Sequence, residues 1–309
     1  MAMAVAFRDS RQLWVSTAGQ SRLEPATEWR PTDESRIGSV TKTFTGALMM
    51  MLAEEGRLSL EDPVERWVPM TYSGPTLRQL VSNRSGIVSY NYVGGFDTSQ
   101  AWTPPQMVQW AMDREPRLRF APGEKWEYSN TNFILLGMAM EKATGQSYEE
   151  LLKERFFGPL GFERSRLSAS AADDPALVHS YEKNPPVDTT LTVNPSFGWA
   201  AGGLVSTPSE LVRWVVALYG GELLSRKALT EMTTRSGETP PDQNDYGLAT
   251  FIEAGDGHTL IGHTGGIGGS GTYAYFLEPE GVAVVMMANR MPVDFRKASQ
   301  HVFRVLVKQ

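Results

Sequence analysis

The chain predicts an α/β fold, with an antiparallel sheet built from both termini, helices flanking it, and an all-helical insertion between. Three observations carry this. Residues 2–8 and 13–19 are short apolar runs around the turn-forming DSRQ, as in a hairpin. Residues 246–253, 258–264, 272–278 and 281–289 are strand-like runs separated by Gly, Asp and Pro. From residue 57 to about 162 the periodicity is helical and cut by Pro and Gly. Strands at both ends and helices between them imply one sheet closed by the termini. Residues 1–56 with 195–309 are therefore expected to form the sheet domain and residues 57–194 a mainly helical one, with any active site at their interface.

Taken in order, residues 40–55 form a helix that Gly56 stops, with Phe44, Leu48, Met51 and Leu52 at helical spacing. Its "ALMMMLA" is apolar nearly all round, so the helix is expected to be buried and Met49–Met51 to be core. Thr103-Pro104 and the capping box from Ser147 to Glu150 open further helices. Residues 129–145 read as another buried helix, ended by Gly145. Residues 164–198 lack periodicity and read as a surface crossing. Thr207 caps a helix with Pro208 at its first position. Near the end, Phe295, Ala298, Val302 and Leu306 share one face of a helix expected to lie on the sheet.

The chain has 309 residues, 41% of them hydrophobic and 21% charged, as in globular proteins. A net charge of -6 without a dense Lys/Arg run argues against a nucleic-acid surface. The best apolar run, residues 282–288, is too short for a membrane span. The N-terminus lacks the basic region and long apolar core of a secretory signal. That fits a cytoplasmic protein if Met1 is the native start, and an extracytoplasmic one if a leader precedes it. Without cysteine there is no thiolate chemistry, and His179, His258, His263 and His301 never pair at ligand spacing. Neither a metal nor a cofactor is expected; the oligomeric state is left open.

Chemistry concentrates in "RIGSVTKTFTG", where Lys42 follows Ser39 by one helical turn. A serine hydroxyl needs a base, burial lowers a lysine's pKa, and a helix N-terminus offers free N–H groups to an oxyanion. A second S-x-x-K, Ser180 to Lys183, has no helix to hold it and reads as a solvated loop. "WEYSNTNF" adds the phenol of Tyr128 and the amide of Asn130. "IGHTGGIGG" adds His263 and Thr264 on opposite faces of a strand, then Gly265 and Gly266, which admit close approach to backbone.

Ser39-x-x-Lys42, Tyr128-x-Asn130 and His263-Thr264-Gly265, in that order, resemble the three signature elements of the penicillin-recognising serine hydrolases. The similar branch holds class C β-lactamases, D-alanyl-D-alanine carboxypeptidases, D-aminopeptidases and β-lactamase-like esterases. The resemblance runs along nearly the whole chain, through "APGEKWEYSNTNF" and "AAGGLVSTPSELVRW" among others. It implies Ser39 as nucleophile, Lys42 as adjacent base or relay, and Tyr128 as a base that also protonates the leaving group. Asn130, His263, Thr264 and Gly265 become substrate contacts, and the N–H groups of Ser39 and Gly266 an oxyanion hole. The implied substrates are small esters, amides, peptides or β-lactams.

The lack of a carboxylate clamp leans the expectation from carboxypeptidase toward an esterase or amidase for neutral substrates. Phe251 stands where the carboxypeptidases carry a carboxylate-clamping arginine, and Gly266 where they carry a hydroxyl residue. Arg290, Arg296 or Lys297 could supply a cation, although a solvated helix face is the commoner role. Phe197 and Trp199 fit either a pocket wall or core packing. Residues 266–271 match G-x-G-x-x-G, but a strand-like run follows where a dinucleotide site needs a helix.

Overall fold

A computed structural model describes residues 1–9, 12–69, 74–113, 118–168, 174–255 and 258–306. Its main sheet has seven strands: β1 (Ala2–Phe7), β2 (Leu13–Thr17), β3 (Asp245–Tyr246), β4 (Phe251–Gly255), β5 (His258–Ile267), β6 (Ser270–Glu278) and β7 (Val282–Ala288). They lie in the order β3-β4-β5-β6-β7-β1-β2, each pair antiparallel, so the two chain ends meet where β1 pairs with β7. The expected sheet closed by both termini is present.

Alternation along the strands divides two apolar faces. Val5, Tyr273, Tyr275, Val284 and Met286 pack with Phe295 and Phe303 of the terminal helix Phe295–Leu306. Ala4, Ala274, Phe276, Val285 and Met287 face the larger core, where the helix Pro208–Tyr219 lies on the sheet. Behind that helix runs α1 (Thr41–Glu54), with Phe44 stacked on Trp214 at a 3.7 Å centroid distance. Trp214 Nε1 donates to Thr43 Oγ1 at 2.9 Å, so the indole is satisfied in the interior. Helix α2 (Asn130–Thr144) packs on α1 and ends at Gly145, whose φ of 76° is left-handed as a C-terminal glycine requires. Both helices are buried nearly all round, as their composition predicts.

Two expectations are corrected. Residues 246–253 are not one strand: the chain reverses between β3 and β4, which pair with Tyr246 opposite Phe251. The reversal is held from outside the sheet, because Leu248 N donates to Met232 O and Ala249 N to Val81 O, both at 2.9 Å. Residues 164–198 are not wholly a surface crossing, since Leu177, Val178, His179, Ser180 and Tyr181 are buried. Ser180 is consequently no solvated-loop serine; its N–H donates to Thr190 Oγ1 at 2.8 Å and its hydroxyl meets that of Ser270 at 2.5 Å. Residues 266–271 form the hairpin between β5 and β6, turning at Gly268 and Gly269 with φ of 50° and 82°. Among the described residues, no helix is long and apolar enough to cross a membrane.

Candidate active site

The site begins with a tight backbone meeting. Gly38, at φ +51°, opens a 3-10 turn that leads into α1, and a Cβ there would lie 2.6 Å from Gly266 N. A Cβ on Gly265 would lie 2.0 Å from Ile37 O and 3.0 Å from Ser39 N. Only glycines let β5 press against the turn that presents Ser39. The approach brings Gly266 N against Gly38 and Ser39 N against Gly265.

Lys42, one turn along, is fully buried. Its Nζ donates to Asn130 Oδ1 at 2.7 Å, to Ala201 O at 2.6 Å and to Ser39 Oγ at 3.0 Å. Burial holds its pKa well below the ordinary 10.5. A neutral amine has two N–H groups and one lone pair. The ammonium spends its three N–H groups on Ser39 Oγ and the two carbonyls; once deprotonated, the amine keeps the carbonyls on its two N–H groups and has its lone pair for the Ser39 hydroxyl. Asn130 is itself oriented, since its Nδ2 donates to Asn91 Oδ1 at 2.9 Å and its backbone N–H to Ser89 Oγ at 2.9 Å.

Tyr128 hydrogen-bonds the Ser39 side chain, and its ring centroid lies 4.8 Å from Lys42 Nζ. Burial pushes its phenol above the ordinary 10.0, against the smaller opposite effect of the Ser39 bond. One environment thus lowers an amine and raises a phenol on either side of a single hydroxyl. That separation is how a site obtains a free base and a proton donor at the same pH.

His263, 1% exposed, stands behind them. Its Nδ1 lies 2.5 Å from Thr264 O, which can only accept, so Nδ1 carries the proton and Nε2, 3.4 Å from the Tyr246 hydroxyl, accepts. Burial first, then the nearby Lys42 charge, lowers its pKa from 6.5 to about 3, while the Thr264 carbonyl opposes the shift. The fold keeps this ring neutral where the unfolded chain binds a proton. Its contribution to stability is therefore complete above pH 6.5 and is lost as pH falls toward 3. The slope should reach about 1.4 kcal/mol per pH unit in that window. Urea unfolding of the wild type and of His263→Gln between neutral and acid pH checks this; an unaltered slope in the variant would assign the dependence elsewhere.

Thr264 and Gly266 are exposed. Phe197 and Trp199 are not gathered around Ser39 in the same way. Phe197 packs on Phe96 at 5.9 Å and accepts a hydrogen bond from Tyr90 through its carbonyl, and Trp199 packs on Gly137 and on Tyr148 at 5.3 Å. Arg290 donates to Lys183 O at 3.1 Å, Arg296 lies 3.7 Å from Glu253, and Lys297 is exposed. Several contributors gave no signal in the sequence. Ala201 acts through a carbonyl, which no side-chain pattern announces, and Asn91 and Tyr246 sit outside the three motifs. Phe251 rests 4.7 Å from His263, 4.8 Å from Tyr246 and parallel to Tyr128 within 5°.

A family model described as beta-lactamase matches residues 1–307. A penicillin-binding protein of Bacillus subtilis (strain 168) is 29% identical over 80% of this chain, which spans 59% of that relative's length. The D-alanyl-D-alanine-carboxypeptidase/endopeptidase AmpH of Escherichia coli (strain K12) is 26% identical over 94% of this chain and 80% of its own. Among solved structures, a D-stereospecific amidohydrolase from Streptomyces sp. is 35% identical, with a TM-score of 0.82 over 94% of this chain and 89% of its own.

Proposed function

The chain belongs to the beta-lactamase family, matched along residues 1–307, and on that premise we propose that it is a serine hydrolase cleaving small esters or amides through an acyl-enzyme on Ser39. The observation that carries the reading is the buried Lys42 amine, with two carbonyls on its N–H groups and 3.0 Å from Ser39 Oγ. Lys42 takes the hydroxyl proton as Ser39 Oγ attacks the substrate carbonyl. The N–H groups of Ser39 and Gly266 receive the oxyanion that forms. Tyr128, a neutral phenol, gives its proton to the departing nitrogen or oxygen. Proton return from the Lys42 ammonium to the phenolate restores both groups, and water then cleaves the ester by the reverse sequence. The second Nδ2 hydrogen of Asn130 is available to a substrate carbonyl, and the exposed Thr264 hydroxyl offers a further substrate contact.

Ser39→Ala should abolish turnover and covalent labelling while leaving the unfolding temperature within a few degrees, since it removes one partly exposed hydroxyl. Intact-protein mass spectrometry with an acylating ester and with a penicillin is the measurement. A wild-type adduct absent from Ser39→Ala supports the assignment, and an adduct that survives in the variant sinks it. A second reading, a D-alanyl-D-alanine carboxypeptidase, draws support from the resemblance to AmpH over 94% of the chain. The aromatic ring at Phe251, where that reading wants a cation, weighs against it. A chromogenic ester, a D-Ala-D-Ala peptide and a chromogenic cephalosporin assayed side by side rank the activities. An adduct persisting for hours with no turnover of any of them would indicate a penicillin-binding sensor instead.

A further inference from the structure

A cavity of about 580 Å³ opens beside Tyr128, lined by Val88, Tyr92, Trp126 and Phe251 and edged by Arg119, Glu127 and Asp242. Trp126, Tyr128 and Phe251 among its aromatic members support one another. Trp126 and Phe251 both pack on the buried Tyr246, at 5.7 and 4.8 Å, while Phe251 lies parallel to Tyr128 with centroids 6.5 Å apart. These three ring faces are thereby held before any substrate arrives, which lowers the ordering cost of binding a flat group.

The charges of the same cavity point the same way. One cation, Arg119, stands against two carboxylates, and its Nε already lies 3.2 Å from Glu127 Oε1. Asp242 is exposed at the rim and has no ion pair among the described residues. Lys42 is buried with its hydrogen-bonding capacity filled, and His263 is neutral. An incoming carboxylate would lose water without gaining a partner and would meet a net negative rim, which is costly.

Resting on the serine-hydrolase reading above, we propose that this cavity selects esters and amides bearing an aromatic ring and rejects those whose ring carries a carboxylate, with Phe251 as the specificity-determining residue. The inference concerns the ring and its charge; the ring belongs either to the acyl or to the leaving portion, and the assay distinguishes these.

Two matched series on the purified chain test it. With the ring on the acyl side, alaninamide, phenylalaninamide and 4-carboxyphenylalaninamide are compared; with the ring on the leaving side, alaninamide, alanine anilide and alanine 4-carboxyanilide. In one series the ring should raise kcat/KM at least about 30-fold, as burial of an aromatic side chain allows, and the added carboxylate should cancel the gain. Phe251→Ala should reduce the ring preference at least tenfold, and Phe251→Leu, which keeps bulk without a ring face, should reduce it less. Asp242→Asn should relieve part of the carboxylate penalty. Equal rates across both series, or a carboxylated substrate preferred, would overturn the proposal. Hydrolysis of p-nitrophenyl acetate by wild type but not by Ser39→Ala reads the underlying activity independently. Its absence would count against the hydrolase reading, whereas its presence with flat series counts only against this cavity's role.

Discussion

Lys42→Ala is expected to lower the acylation rate by about three orders of magnitude or more, as when an activated nucleophile loses its base. Two different losses could produce such an effect, and a second variant separates them. Lys42→Arg keeps a positive charge and donors toward Asn130 and Ala201, but a guanidinium does not become a free base near neutral pH. If Lys42 acts by taking the Ser39 proton, Lys42→Arg should be nearly as impaired as Lys42→Ala. Near-wild-type acylation by the arginine variant would mean that charge alone suffices, and the base assignment would fail. The pH profile carries the same sign. Because burial holds Lys42 well below 10.5, kcat/KM should be low in acid and rise as the ammonium deprotonates, with its midpoint far below that of an ordinary lysine. Stability should change less than rate. Removing the amine relieves the desolvation of a fully buried group, but it leaves Asn130 Oδ1 and Ala201 O without their donor, at about 1–3 kcal/mol for each unsatisfied acceptor.

Gly265→Ala is expected to damage both the site and the fold, and Gly266→Ala to damage neither fold nor packing, although the two positions are adjacent. A Cβ at Gly265 would stand 2.0 Å from Ile37 O, a backbone atom that cannot turn aside, whereas one at Gly266 would meet only Ser270 O at 3.7 Å. For Gly265→Ala, β5 must retreat from the turn that holds Ser39. The pair of N–H groups assigned to the oxyanion then separates, and loss of even one such donor costs about a hundredfold or more in rate. Forced displacement of packed backbone also places the variant among the strongly destabilising substitutions, about 3 kcal/mol or more. Thermal unfolding and single-turnover acylation of the two variants check this. Similar unfolding temperatures for both would show that the close approach of the two backbones is not a constraint on the fold.

How much of this was legible in the sequence differs from element to element. The helices of residues 40–55 and 129–145 could be read almost to their ends, because capping glycines and an all-round apolar composition are local properties. The strands at the two termini were likewise local, and one sheet closed by both ends followed from strands at each end with helices between. The break in residues 246–253 was not legible. Ala249 is an ordinary strand residue, and its φ of 57° exists because Val81 and Met232, distant in the chain, capture the neighbouring N–H groups. The burial of Ser180 was not legible for a related reason: its hydroxyl partner, Ser270, comes from outside its own segment.

The sequence by itself determined the inventory: a serine and a lysine one helical turn apart, a phenol and amide in one motif, a histidine and glycines in another, and the absence of thiols. Side-chain chemistry and helical periodicity are properties of short stretches, so they survive without coordinates. Only the tertiary structure decided what each group is. Lys42 became a candidate base because Ala201 and Asn130 enclose it and water does not. His263 became a neutral ring because burial, and after it the nearby Lys42 charge, disfavours its protonation. Phe251 became a pocket wall because a reversal of the chain set it against Tyr128. Protonation state and recognition depend on burial and on neighbours brought from far along the chain, and those exist only once it has folded.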